Sequence, residues 1–195
     1  MEYLLTDFMK AAFAFLVIMD PFVSALYFLS ISKKFKKREK TDAVNSATLI
    51  AGTTLFAFLI VGPLVLSVLG ITLESFQVAG GLVLFIISVK FILGSMGEVD
   101  KVSKNTSIMV IGVPLITGPG VLTTTIMLVL EYGYLLTAAA AMTALSVVWI
   151  IMRHSERIEQ LIGWWGMETT SRIMGLLLSA LAVEFIKNGV TAMLA

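Results

Sequence analysis

Residues 4–31 read LLTDFMKAAFAFLVIMDPFVSALYFLSI, 28 residues carrying only three charges, Asp7, Lys10 and Asp20. A helix needs about 20 apolar residues to cross the hydrocarbon core of a bilayer, so this run is long enough to span one. A membrane β-barrel strand would alternate in polarity over about ten residues, whereas this run is apolar on every face. Asp20 and Pro21 interrupt it near its centre. Proline lacks the N–H that the helical ladder needs, and its ring clashes with the preceding turn. The residue before it is pushed toward extended dihedrals. Asp at a cap followed by Pro at the first helical position starts a new helix well. The run therefore reads as a transmembrane helix broken in the middle.

Five more runs of similar character follow: Ala47 to Leu69, Phe76 to Met96, Ser107 to Leu130, Tyr134 to Met152 and Ile173 to Ala192. Composition agrees, with 58% hydrophobic and 14% charged residues, against roughly 45–50% and about 25% in soluble domains. The expectation is an all-α polytopic membrane protein, one membrane domain over residues 1–195, with no soluble domain. A net charge of +1 offers nothing for nucleic acid. With no cysteine, disulfides and thiolate chemistry are excluded. The start, Met1-Glu2-Tyr3, lacks the basic segment of a cleaved signal peptide.

Lysine and arginine set the orientation. Lys33, Lys34, Lys36, Lys37, Arg38 and Lys40 lie in the first connection, Lys101 and Lys104 in the third, and Arg153, Arg157 and Arg172 in the fifth. That is 11 of the 14 basic residues, and the second and fourth connections hold none. Positive charge stays on the cytoplasmic side, so both termini are expected outside a cell membrane. Tyr132 and Tyr134 suit the outer interface, and Trp149, Trp164 and Trp165 the inner one. Between Glu156 and Trp165, residues Ile158, Leu161, Ile162 and Trp165 share one helical face, which reads as a short helix on the cytoplasmic surface.

The chain also repeats itself. Met19-Asp20-Pro21-Phe22-Val23 aligns with Thr117-Gly118-Pro119-Gly120-Val121. Gly81-Leu82 and Val89-Lys90-Phe91-Ile92 align with Gly175-Leu176 and Val183-Glu184-Phe185-Ile186. Helices one to three (about 1–96) thus reappear as four to six (about 105–195), and an odd number of helices per copy inverts the second. Inverted repeats with binding sites at their midplane junction recur in secondary transporters. Lys90 and Glu184 should then face opposite membrane surfaces and form no ion pair.

The fourth helix breaks more emphatically, in Gly112-Val113-Pro114-Leu115-Ile116-Thr117-Gly118-Pro119-Gly120. Exposed backbone in hydrocarbon costs several kcal/mol per group, so such breaks must face protein or a wet cavity. The start of each half-helix carries roughly half a positive charge. Amides of Gly120, Val121 and Leu122 are therefore candidates to hold a carboxylate, and Gly118 and Gly120 leave room for its approach. Carbonyls ending the preceding half-helices suit an ammonium group or a cation. Thr117, Thr123 and Thr124 add hydroxyls. Asp20, Pro21 and Ser24 from the first break, with Thr117, Gly118, Pro119 and Gly120 from the second, frame a site for a small zwitterion. A charge at Asp20 costs roughly 2.5–3.5 kcal/mol at mid-membrane; ligand contact, proton carriage and helix capping are its alternative roles.

These two breaks resemble the MarC family of six-helix membrane proteins. Gly112 to Thr123 matches that family's Gly-x-Pro-Leu-x-x-Gly-Pro-Gly pattern. Asp20-Pro21 and Phe28 fit its Asp/Asn-Pro-x-Gly-x-x-Pro-x-Phe form, but Val23 stands where glycine is usual and Leu26 where a second proline is usual. The resemblance implies transport of small neutral amino acids such as glycine or alanine, driven by an ion gradient; a proton and a sodium ion are both candidates for the coupling ion.

Enzymatic readings lack residues. The single histidine, His154, sits in a charged connection beside Arg153 and Glu156 and reads as solvated. No His-Glu-x-x-His or Gly-x-Ser-x-Gly pattern occurs, and no cofactor or metal is expected. Glu98, Asp100 and Lys101 read as a solvated turn, and the methionines as packing or lipid-facing residues. The Lys33–Lys40 cluster reads first as a topology signal, with contact to anionic lipid headgroups as a secondary role. The expected function is alternating-access transport of a small zwitterion, by a single chain or an oligomer. The rivals are a non-transporting structural or interaction protein and a channel-like permeation path.

Overall fold

The computed structural model describes residues 2–93 and 116–194, and among them no strand is present. α1 (Glu2–Met19) stops one residue before Asp20, because Pro21 cannot extend the ladder. α2 (Pro21–Ile31) restarts at once. Asp20, between them, has φ 31° and ψ 85° and is the one non-glycine residue with positive φ among those described. The extended conformation expected before proline is thus replaced by a left-handed one. Aspartate tolerates it because its short side chain bonds the nearby backbone.

A 3₁₀ turn (Ser32–Lys34) leads into α3 (Lys37–Leu69). This helix begins ten residues before the expected Ala47. Glu39 accepts a hydrogen bond from the Lys36 amide at 2.8 Å, half of the reciprocal cap that starts a helix. At 1.5 Å per residue, about 15 Å of α3 precedes its apolar segment on the lysine-rich side. α4 (Leu73–Leu93) follows. The third connection, with Glu98, Asp100, Lys101 and Lys104, and the first half of the fourth run, through Leu115, lie outside the described residues. The second half of that run is α5 (Pro119–Tyr132), followed by α6 (Tyr134–Arg153) and α7 (Ser155–Leu194).

The C-terminal region needs one correction. α7 is two helices divided by non-helical backbone at Gly163; the expected short helix is the first of them, ending before Trp165, and the sixth span follows it directly. From 164 onward the helix is continuous, so the span does not begin at Ile173. The polar residues before Ile173 remain helical because their groups find partners in the helix. Thr170 Oγ1 donates to the Gly166 carbonyl at 2.9 Å, and Arg172 pairs with Glu168 at 2.6 Å. Gly163 has φ 71° and ψ 167°, a region open essentially to glycine alone. Gly163→Ala is expected to cost about 1–3 kcal/mol, read as a lower unfolding temperature in detergent; an unchanged midpoint would show that the bend is relaxed.

Five described spans are long and apolar enough to cross a membrane, and Gly120–Tyr132 is a shorter apolar helix. The first span, Leu4–Lys34, has 78% of its apolar window buried within the protein, against 22–39% in the other four. The broken first helix is therefore the interior of the molecule. α5 is also buried along most of its length, from Gly120 to Val129. The intact helices carry most of the exposed apolar side chains, among them Ile60, Leu64, Leu82, Ile86, Leu135 and Leu176.

α4 and α7 form the most extensive helix pair, and glycines bring them together. A Cβ at Gly81 would lie 2.8 Å from the Ala182 carbonyl and 2.6 Å from Ile186. One at Gly175 would lie 2.9 Å from Phe91 and 3.2 Å from Ile92. These contacts put Lys90 near the level of Gly175 and Glu184 near that of Gly81. Lys90 and Gly81 are nine residues apart on α4, roughly 13 Å at the helical rise. Glu184 pairs with Lys187 at 2.7 Å instead of with Lys90.

Candidate functional site at the two helix breaks

Asp20 is completely buried, and both of its carboxylate oxygens are engaged. Oδ1 accepts from the amides of Phe22 and Val23, each at 3.1 Å. Oδ2 accepts from the Ser171 hydroxyl of α7 at 2.7 Å. The first break thus carries its own acceptor, which satisfies the start of α2. Ser24, also buried, donates to the Met19 carbonyl at 3.3 Å, covering one acceptor at the end of α1. Pro21 is buried at the first position of α2.

The second break is built differently. Gly118, the counterpart of Asp20 in the repeat alignment, caps α5 with extended backbone and provides no side-chain hydrogen bond. The Leu122 amide closes the first turn onto the Gly118 carbonyl at 3.2 Å. Pro119 has no amide hydrogen, so Gly120 and Val121 present the first amides of this half-helix. Thr117 and Thr124 are fully buried, and neither hydroxyl has a hydrogen-bond partner. Buried polar atoms are normally satisfied, so two unpartnered hydroxyls beside an uncapped helix start are consistent with a site for a polar ligand. Thr123 packs its methyl against Gly80 of α4, and Thr125 donates back to the Val121 carbonyl at 2.7 Å.

The breaks meet. A Cβ on Gly120 would lie 3.4 Å from Ile18, two residues before Asp20. The same Cβ would lie 2.6 Å from Leu84, so the space that glycine leaves is filled by α4. Gly118 has φ −68° and ψ 177°, which any residue adopts. The glycines therefore act here through close packing, and the α5 start remains without a side-chain cap. Gly112 to Leu115 fall outside the described residues.

Two contributors escaped the sequence reading. Ser171 lies in the polar run Glu168-Thr169-Thr170-Ser171-Arg172, whose lack of apolar character was the available signal. Gly80, beside the matched Gly81, had no signal separate from its neighbour.

A family model described as MarC family integral membrane protein matches residues 5–194. The chain belongs to the MarC family. Among its relatives is a UPF0056 membrane protein of Archaeoglobus fulgidus, 31% identical over 94% of this chain and 92% of the relative. Another, from Methanocaldococcus jannaschii, is 27% identical over 89% and 90%. The UPF0056 inner membrane protein YhgN of Escherichia coli is 26% identical over 95% and 97%. No solved structure matches the chain. This MarC protein is thus an integral, multi-pass membrane protein.

Proposed function

We propose that this MarC protein is a secondary transporter of small neutral amino acids of the glycine and alanine class. One observation carries the reading: two buried helix breaks lie near each other in the interior, one capped by its own carboxyl group and the other with no side-chain cap on its amides. The substrate carboxylate takes at α5 the role that Asp20 plays at α2. Its ammonium group lies toward Asp20 and the carbonyls ending α1, and Thr117 and Thr124 supply the remaining polar contacts. Asp20, Thr117 and Thr124 are all fully buried, so a substrate can reach them only if helices separate. That requirement favours alternating access over an open pore.

The α4–α7 contacts support a two-halves description. Gly81 meets Ile186, and Gly175 meets Ile92; these pairs exchange under the repeat alignment, as a twofold axis between inverted halves demands. Rocking of one half against the other then opens the site alternately to the two sides. The protein is assigned to the cell membrane with its termini outside, and substrate movement is coupled to a proton or sodium gradient.

The test is uptake of radiolabelled glycine and alanine into proteoliposomes under imposed proton and sodium gradients. Saturable, gradient-dependent uptake is expected, and Gly120→Leu, which forces a side chain into Leu84 beside the α5 amides, should abolish it. Leu84 filling Gly120 favours a second reading, in which the breaks serve only helix packing. Uptake that no gradient drives, with no thermal stabilisation by any natural amino acid, would establish that reading instead.

A further inference from the structure

We infer that an anionic phospholipid binds between α3 and α6, with its phosphate in a basic cavity and an acyl chain along an adjoining groove. The cavity, about 290 Å³, lies where the start of α3 faces the junction of α6 and α7. Lys37, Lys40, Arg153 and Arg157 line it with Glu156, four cations against one carboxylate in a chain whose net charge is +1. Glu156 pairs with Lys40, leaving three cations for a ligand. The first turns of α3 and α7 also open here, each adding the partial positive charge of a helix start. Phe28 and Val44 supply the apolar wall.

A second opening lies one turn away along α3 and α6. This separate groove of about 600 Å³ lies further along the same two helices, lined by Leu49, Gly52 and Phe56 on α3 and by Met142, Leu145 and Trp149 on α6. On α6, Met142, Leu145, Trp149 and Arg153 follow one another at helical spacing on a single face. Arg153 lies over the Trp149 ring, 5.7 Å from its centroid, and joins the cavity to the groove. Trp149 Nε1 donates to Asn45 at 2.9 Å, tying α6 to α3 at the same level. Thr48 lines the groove, and its hydroxyl is buried without a partner. Positive charge at one end, an apolar channel at the other and an unused hydroxyl between them match the headgroup, chain and ester region of a phospholipid. Basic pockets between transmembrane helices bind anionic headgroups in this way. A free phosphate would leave the groove unused.

The experiment places a Trp164→Phe/Trp165→Phe protein, in which Trp149 is the sole indole, in phosphatidylcholine nanodiscs. Phosphatidylglycerol brominated near the headgroup end of its chains is then added. Quenching of Trp149 should occur at least about tenfold more readily than with brominated phosphatidylcholine. Lys37→Gln/Arg157→Gln should remove that preference. Lys33→Gln/Lys34→Gln, which removes equal charge from the exposed turn outside the cavity, should leave it intact. Gly52→Leu, which fills the groove, should weaken quenching by both lipids. Equal effects of the two double variants would reduce the preference to general surface charge and overturn the site. So would thermal stabilisation by inorganic phosphate without lipid preference, or a groove closed to both lipids by a second copy of the chain. None of these readouts depends on amino acid uptake.

Discussion

Asp20→Ala lowers the unfolding temperature in detergent by about 10 °C, as expected from about 4 kcal/mol of lost stability in a chain of this length. Three losses combine at one residue. The amides of Phe22 and Val23 lose the acceptor that caps α2, worth about 1–2 kcal/mol. The buried Ser171 hydroxyl loses its acceptor, at about 1–3 kcal/mol. Alanine must also occupy the left-handed backbone at φ 31°, which costs a residue without a local side-chain bond about 1–2 kcal/mol. Asp20→Asn separates stability from function. Asparagine tolerates the same backbone and keeps an acceptor for the α2 amides, so its unfolding temperature should stay within a few degrees of the parent, about 1 kcal/mol at most. It removes the negative charge, so KM for glycine uptake should rise about tenfold, the equivalent of one charge-assisted hydrogen bond weakened by about 1.4 kcal/mol. Wild-type KM in Asp20→Asn would leave Asp20 as a helix cap only and detach the ammonium group from it.

Gly81→Val and Gly175→Val are expected to be among the most damaging substitutions outside the breaks. At Gly81 the added atoms meet backbone, the Ala182 carbonyl at 2.8 Å and the Ile186 amide at 3.1 Å, which no side-chain rotation relieves. At Gly175 they meet the Phe91 Cβ at 2.9 Å and the Ile92 amide at 3.2 Å. Overpacking of this kind costs about 1–3 kcal/mol or more, and here it pushes apart the pair on which the two halves join. Gly52→Ala supplies the contrast. Its Cβ would find only Leu145, at 3.5 Å, and alanine favours a helix over glycine by about 1 kcal/mol. Thermal unfolding should therefore move down for the first two and stay level or rise for the third. A shared downward shift would show that the α4–α7 crossing has no special tightness.

The break at Asp20-Pro21 is legible in the sequence because it rests on covalent chemistry: a missing amide hydrogen and a ring clash act wherever the residue sits. It survives although Val23 and Leu26 replace the glycine and proline usual in the family pattern, because Asp20 and Pro21 suffice to end one helix and start the next. Hydropathy served less well at the helix ends. Ala47 marks where apolar character begins on α3, but Glu39 sets where the helix begins. Near Ile173, Glu168, Thr170 and Arg172 interrupt the apolar pattern without interrupting the helix.

The sequence by itself determined that this chain spans a membrane as helices, that the first is broken at Asp20, and that its two halves resemble each other. Each follows from local terms, namely side-chain transfer to lipid, proline geometry and residue order. Only the tertiary structure decided that Ser171 completes the Asp20 cap, that Leu84 fills the space at Gly120, and that Arg153 and Lys37 share a cavity. Those facts depend on which faces of distant helices meet, and lipid removes the difference between buried and exposed apolar faces that reveals such partners in a soluble protein.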